Sequence, residues 1–231
     1  QDAGEKILVQ SDDRTNDGFD CIRSRVTGNP ETKKAMEMKA KEAGRTQSLR
    51  EASCKEWIDV RTFGQVLAFK DEKKQGVDAV SVGVRGPVSI HTAVSLDPVA
   101  VTGVQITKSV NNEPGDKKGS DTMGMKYRVD FGVYKFQGSI NVQLAEQTGF
   151  SEDDAEKVKE ALCTIFENDA SSARPEGSME LSLFYWIEHD SKTGNASSAK
   201  VHRSVAVRKK EGVDVPKHWE DYVIDDSELR A

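Results

Sequence analysis

Apolar positions are unevenly patterned along this chain of 231 residues. Up to about residue 55 they are scattered among polar ones, and only the Ala/Lys/Glu/Met-rich stretch from Glu31 to Ala43 has the composition of a helix, with a solvated face and little core. From Trp57 the pattern tightens. Trp57, Ile58, Val60, Phe63, Val66, Leu67 and Phe69 recur near a helical period and predict a short helix. Val80-Ser81-Val82-Gly83-Val84 then alternates as a strand does, Val88-Ser89-Ile90 resumes it after Gly86-Pro87, and 93–106 is rich in β-branched residues. Residues 111–122, rich in Asn, Gly and Lys with one proline, predict a long polar loop. Lys126 to Tyr134 and Phe136 to Leu144 predict one long bent strand or a hairpin. Ser151, followed by three acids, caps a predicted helix reaching Glu167, with Phe150 stapled onto Ala155 and a stripe of Ala155, Val158, Leu162, Ile165 and Phe166. Met179, Leu181, Leu183, Tyr185 and Ile187 alternate with Ser182, Phe184 and Trp186, which predicts a central strand covered on both faces. Val201, Val205 and Val207 suggest a last strand.

Strands, one docked helix and strands again predict the α+β class, for which a ferredoxin-like (RNA-recognition-motif) sheet with helices on one face is the economical solution. The expected organisation is a polar, weakly structured or peripheral helical region over 1–55, the core over 56–210 with an inserted loop at 109–125, and an acidic tail over 211–231. No internal repeat is visible.

Charge changes this picture once it is located. The net charge is -6, which by itself disfavours nucleic acid, because phosphate binding needs cations that displace condensed counterions. The acids are concentrated at the ends, however: residues 1–20 carry a net -4 and 211–231 a net -5, so 21–210 is mildly basic at +3. A polyanion groove is therefore permitted. No run approaches the roughly 18 apolar residues of a membrane helix, and Gln1-Asp2-Ala3-Gly4 does not read as a secretory signal, so a soluble, cytoplasmic protein with no membrane partner is expected. Cys21, Cys54 and Cys163 are few, odd in number and widely spaced, as reduced thiols are.

Most catalytic chemistries find no support. His91, His189, His202 and His218 have no Cys or Glu at metal-ligand spacing, so neither metal nor cofactor is expected. His189-Asp190 opens the turn Ser191-Lys192-Thr193-Gly194-Asn195 and reads as a turn cap. Asp59 precedes a helical stripe and Asp97 precedes Pro98, positions that suit a cap and a turn. Gly-x-Ser-x-Gly, the phosphate-binding Walker loop and the dinucleotide fingerprint are absent. What remains is binding. Arg61, Arg85 and Lys126 each stand beside glycines, in Asp59-Val60-Arg61-Thr62-Phe63-Gly64, Gly83-Val84-Arg85-Gly86-Pro87-Val88 and Met123-Gly124-Met125-Lys126-Tyr127-Arg128. Such a backbone can approach a phosphate chain closely, while arginine supplies a forked donor. Tyr127, Arg128, Phe131, Tyr134, Lys135 and Phe136 interleave rings with cations, the combination that holds single strands.

The order of these motifs, continued by Ser95-Leu96-Asp97-Pro98, Leu144-Ala145-Glu146-Gln147-Thr148-Gly149-Phe150-Ser151, Ser172-Ala173-Arg174 and His189-Asp190-Ser191, resembles the subtype I-C backbone subunits of the CRISPR Cascade complex. These belong to the RNA-recognition-fold family of repeat-associated mysterious proteins, and the resemblance runs from residue 57 to about 210. It implies a modified RNA-recognition fold with a thumb-like insertion and no catalytic residues. It also implies partners: the crRNA, target DNA reached through the guide, further copies of itself and other Cascade subunits. The protein would hold RNA by its backbone and leave sequence reading to base pairing. On that resemblance Arg61 and Arg85 contact phosphates. Lys117, Lys118 and Met123 lie on or beside a loop reaching the neighbouring subunit, with Met123 as a wedge between bases, while Lys126, Arg128 and Arg174 line the groove. The family's opening strand, with its Asn/Gly/Pro/Asp-rich loop and basic helix, is not legible before Asp59 beyond Asp2-Ala3-Gly4. A CRISPR-associated endoribonuclease that processes repeat RNA shares the fold and is the alternative; an assembly protein with purely protein contacts is a third reading.

Overall fold

A computed structural model describes residues 4–11, 15–38, 43–70, 79–110 and 123–229. The chain divides into two compact units, residues 1–90 with 138–195 and residues 91–137 with 196–231. The architecture is mixed α+β, and the described strands form five small antiparallel pairs.

The first unit opens with three helices, the first two on side-chain caps. α1 (Ile22–Gly28) is capped reciprocally by Cys21 and Ser24, and α2 (Pro30–Glu37) by Asn29, whose side chain accepts from the Glu31 and Thr32 N–H groups ahead of a proline at the first helical position. α3 (Arg45–Glu56) follows Gly44, which is left-handed at φ 91°. Trp57 separates α3 from α4 (Ile58–Phe63), and the chain then turns into β1 (Gly64–Phe69) rather than continuing the predicted helix. The reason is Gly64 at φ 84°: a side chain there would strike the Val84 carbonyl oxygen, and one at Gly86 would strike the backbone of Thr62, Phe63 and Gly64 at 2.3–2.5 Å. A helical period was legible, but a backbone crossing fixes where it ends.

β1 pairs antiparallel with β2 (Val80–Arg85), in the register Gly64↔Arg85 to Phe69↔Val80. β2 alternates as expected, with Val80, Val82 and Val84 buried and Ser81, Gly83 and Arg85 exposed. Its inner face joins Leu67, Trp57 and Val60 in one core. Leu8, Val26, Ala35, Met36, Leu49 and Cys54, all from the N-terminal stretch with little expected core, complete that cluster. A second cluster of Val88, Phe150 and Val158, with Ile140, Ala145, Ala155 and Leu162 against it, joins three elements. These are the pair β3 (Val88–Ile90) with β8 (Gly138–Ile140), α5 (Val142–Thr148) and α6 (Glu152–Cys163). α6 starts where predicted, on a Ser151/Asp154 capping box, and Phe150 packs in the same cluster as Ala155. It stops short of Ile165 and Phe166. α5 replaces the strand expected through Leu144, because the Asn141 side chain accepts from Leu144 N–H and Gly149, left-handed at φ 75°, closes the other end.

The alternating segment Met179–Ile187 forms no strand, contrary to expectation. Alternation sorts side chains to two faces, but a strand also needs a neighbouring ladder, and no described strand pairs with it. Met179, Leu183 and Ile187 are accordingly more than a third exposed.

The second unit holds β4 (Val94–Ser95) paired with β7 (Tyr134–Lys135) and the long ladder of β5 (Val101–Thr107) with β6 (Met123–Val129). It also holds α7 (Ser198–Arg203) and β9 (Ala206–Lys209) paired with β10 (Tyr222–Asp225) after a 3-10 turn at Trp219–Asp221. The expected last strand is thus split: Ser197 caps a short helix carrying Val201, and only Val207 lies in β9. Tyr222 is buried; burial first, then its hydrogen bond to Asp97 at 2.9 Å, pushes its phenol up to about 12.

Candidate nucleic-acid interface

Three of the eight candidate residues, Arg61, Arg85 and Arg174, lie in the first unit, and Met123, Lys126 and Arg128 in the second. Lys117 and Lys118 lie outside the described residues. Within the second unit the β5–β6 register decides the geometry. It runs from Val101↔Val129 through Gly103↔Tyr127, Val104↔Lys126 and Gln105↔Met125 to Thr107↔Met123. Opposed residues share a face and successive ones alternate, so Val104, Ile106, Lys126 and Arg128 stand on one face. Val101, Met123, Met125, Tyr127 and Val129 stand on the other. Two glycines make this dense sorting possible: Gly103 lies under Tyr127 and Met125, and Gly124 lies under Ile106. Every residue of β6 is exposed, Met123 and Tyr127 each to 67%. The ladder closes on the pair Thr107↔Met123, and the predicted polar loop at 111–122 lies outside the described residues.

Arg128 donates from Nε to Asp130 at 2.8 Å, a pair exposed on both sides. The Thr102 hydroxyl and then Arg128 hold the Asp130 carboxyl below the usual carboxylate range. Exposed pairs of this kind are screened by water and add little to stability.

Arg61 is placed very differently. Its Nε and Nη2 donate to the two oxygens of Asp154 at 3.0 and 2.7 Å, and Nη2 also reaches Glu5 at 3.1 Å. Lys157 closes the network on Glu5 at 2.7 Å. Asp154 also accepts from Ser151 N–H as part of the α6 cap, so one carboxylate ties α4 to the start of α6. Burial pushes the Asp154 carboxyl up, but Arg61 and the Ser151 hydrogen bonds more than offset it and leave the group below its ordinary value. Lys157, and then Arg61, does the same for Glu5. Arg61 is held above its already high value, chiefly by Asp154.

Arg85 ends β2 opposite Gly64, is exposed, and has no hydrogen-bond or ion-pair partner among the described residues. Beside it stand Phe63 and Val66, exposed to 53% and 68%. The sequence pattern places both in a helical stripe; the break at Gly64 leaves them at the surface. The flanking glycines serve a purpose other than the expected one, because Gly64 and Gly86 make room for the protein's own crossing backbone. Arg174 is bidentate to Asp169 at 2.9 and 3.1 Å in an exposed loop. Among the described residues no group of three or more His, Cys, Asp or Glu side chains could hold a metal, and no helix is long and apolar enough to cross a membrane.

The family described as CRISPR-associated protein Cas7 matches residues 1–227. The chain belongs to the Cas7 family. A CRISPR-associated protein Cas7 from Haloferax volcanii is 27% identical over 142 residues, which is 57% of this chain and 41% of the relative. The chain therefore matches well under two thirds of that Cas7 protein's length.

Proposed function

We propose that this Cas7-family chain is a non-catalytic, crRNA-binding backbone subunit of a subtype I-C Cascade complex. Copies of it assemble along a guide RNA that pairs with target DNA, beside other Cascade subunits, on a modified ferredoxin-like core. The observation that carries the reading is the two-faced β5–β6 ladder, with Lys126 and Arg128 on one face and Met123, Met125 and Tyr127 on the other. Cations on one face suit a sugar-phosphate chain, and flexible or aromatic apolar side chains on the other suit bases or a neighbouring copy. In this account Arg85 grips a phosphate directly, and Lys117 and Lys118 extend the cationic path into the loop. Met123 serves as the wedge and Arg174 contributes by releasing Asp169. A phosphate reaching Arg61 exchanges with Glu5, the more exposed of its two carboxylates, while Asp154 stays in place.

Fluorescence anisotropy with labelled single-stranded RNA tests this. Binding is expected to weaken steeply with salt, and Arg85→Ala is expected to weaken all RNA sequences alike, because phosphate contacts carry no base information. A changed sequence preference would contradict the assignment. Repeat RNA incubated with the protein is expected to stay intact; site-specific cleavage would make the chain the endoribonuclease instead.

A further inference from the structure

Gly64 and Gly86 are required by the crossing backbone, but the fold makes no such demand at Gly83, in the interior of β2. Its φ is not left-handed, the β1–β2 register runs through it without a bulge, and a side chain there would meet nothing within 4 Å among the described residues. A glycine inside a strand lowers β propensity and offers no side chain to pack. An unforced one marks a place where something outside the fold comes close to the backbone.

The neighbours of Gly83 say what that is. Val66 lies directly opposite it, and the next pair on the same face is Gly64↔Arg85, so Val66, Gly83 and Arg85 share the outer face of the ladder. The pair on the other side, Ala68↔Ser81, is small as well as exposed. The face is thus low and flat. Val66, 68% exposed, rises beside Gly83, and the Arg85 guanidinium rises two residues on, about 7 Å along the strand. Of the four candidate arginines, Arg61, Arg128 and Arg174 are each held by a carboxylate, and Arg85 is not, among the described residues. Charge complementarity asks for an anion at Arg85, while the bare backbone and Val66 ask for a flat, weakly polar group beside it. A nucleotide carries both at that separation; an apolar protein segment leaves Arg85 unanswered.

We propose that the outer face of the β1–β2 ladder seats one nucleotide of a single-stranded RNA, its phosphate on Arg85 and its base laid over Gly83 against Val66. That the strand is RNA rests on the backbone-subunit reading above; that the occupant joins an anion to a flat ring rests on Gly83, Val66 and Arg85 alone. The seat takes any of the four bases, because contact with a ring face carries no hydrogen-bond code. A side chain at position 83 fills the floor and strengthens the strand, so stability and binding move in opposite directions.

The test compares the full chain with Gly83→Val and Arg85→Ala, against labelled single-stranded RNA and against an abasic strand of the same length. Gly83→Val adds a strand-forming residue opposite Val66 and is expected to raise the denaturation midpoint while lowering RNA affinity about fivefold, with the salt slope unchanged. The abasic strand is expected to bind this variant as it binds the wild type. Arg85→Ala is expected to weaken both strands and to make the slope shallower by about 0.7, one counterion at the single-strand value. Gly83→Ala, whose methyl meets nothing within 4 Å, is expected to act in the same direction and is the second variant should Gly83→Val fail to fold. RNA affinity untouched at Gly83 overturns the seat, and with Arg85→Ala still weakening binding it leaves the backbone-subunit reading standing. A loss of equal size on the abasic strand overturns the base contact. A Gly83 variant that changes the mass of the RNA-free protein in solution, with RNA affinity intact, assigns the face to a second copy and overturns the proposal. A wild type that binds neither strand overturns the RNA reading itself, and the seat with it.

Discussion

The ladders β1–β2 and β5–β6 are built alike, each from two antiparallel strands of six or seven residues, and their surroundings differ. β2 alternates strictly between buried valines and exposed Ser81, Gly83 and Arg85, because α3, α4 and the N-terminal segment complete a core on one face. β6 is exposed along its whole length. The cations differ in the same way. Beside the covered ladder Arg61 is spent on Asp154 and Glu5 inside the fold, whereas Arg128 on the bare ladder holds only an exposed Asp130. An arginine in a glycine-flanked motif is thus a fastener or a gripping group according to what is packed around it, and the motif alone does not say which.

If this contrast is right, the largest effect comes from the backbone crossing at the start of β1. Gly86→Ala places a methyl 2.3–2.5 Å from backbone atoms of Thr62, Phe63 and Gly64, and backbone cannot step aside as a flexible side chain can. A loss of about 4 kcal/mol in chemical denaturation is expected, and an unchanged midpoint would show that the crossing is looser than described.

Next comes the fastener. Asp154→Ala leaves the nearly buried Arg61 guanidinium with Glu5 alone and removes half of the α6 capping box, so a loss of about 3 kcal/mol is expected in the same assay. A loss under about 1 kcal/mol would place Arg61 with the exposed cations instead. The network also sets an acid limit. The carboxyls of Asp154 and Glu5 are lowered in the folded chain, so their contribution is complete above the ordinary values of 3.8 and 4.5 and is lost as pH falls through the lowered folded-state values. The melting temperature of the wild type is therefore expected to fall towards that of Glu5→Gln on acidification; a gap that survives to the lowest pH would contradict the linkage.

The smallest stability effect belongs to the bare ladder. Asp130→Asn is expected to leave the denaturation midpoint nearly unchanged while strengthening RNA binding, because it frees Arg128 and removes a negative charge. A clear loss of stability with no gain in affinity would mean that the pair serves the fold.

What could be read from sequence follows the range of the interactions involved. The start of α6 and the alternation of β2 depend on neighbours in the chain, and both were legible. The break at Gly64 depends on Gly86, the loss of a strand at Met179–Ile187 on the lack of a pairing neighbour, and the burial of Leu8, Val26 and Leu49 on the assembly of α1 to α3 around Trp57. None of these leaves a local pattern. Among the candidate residues, the motifs singled out Arg61, Arg85, Lys126 and Arg128 together. Their division into a carboxylate-locked arginine and exposed cations comes from Asp154 and Glu5, which no sequence spacing connects to Arg61.

The central claim is that the cationic face of the β5–β6 ladder holds RNA through its phosphates. Its most direct measurement is the salt dependence of single-stranded RNA affinity for the wild type and for Lys126→Ala with Arg128→Ala, at matched thermal stability. Weaker binding to every sequence is expected, with a salt slope shallower by about 1.4, two counterions at the single-strand value. An unchanged slope in a folded double variant would contradict it.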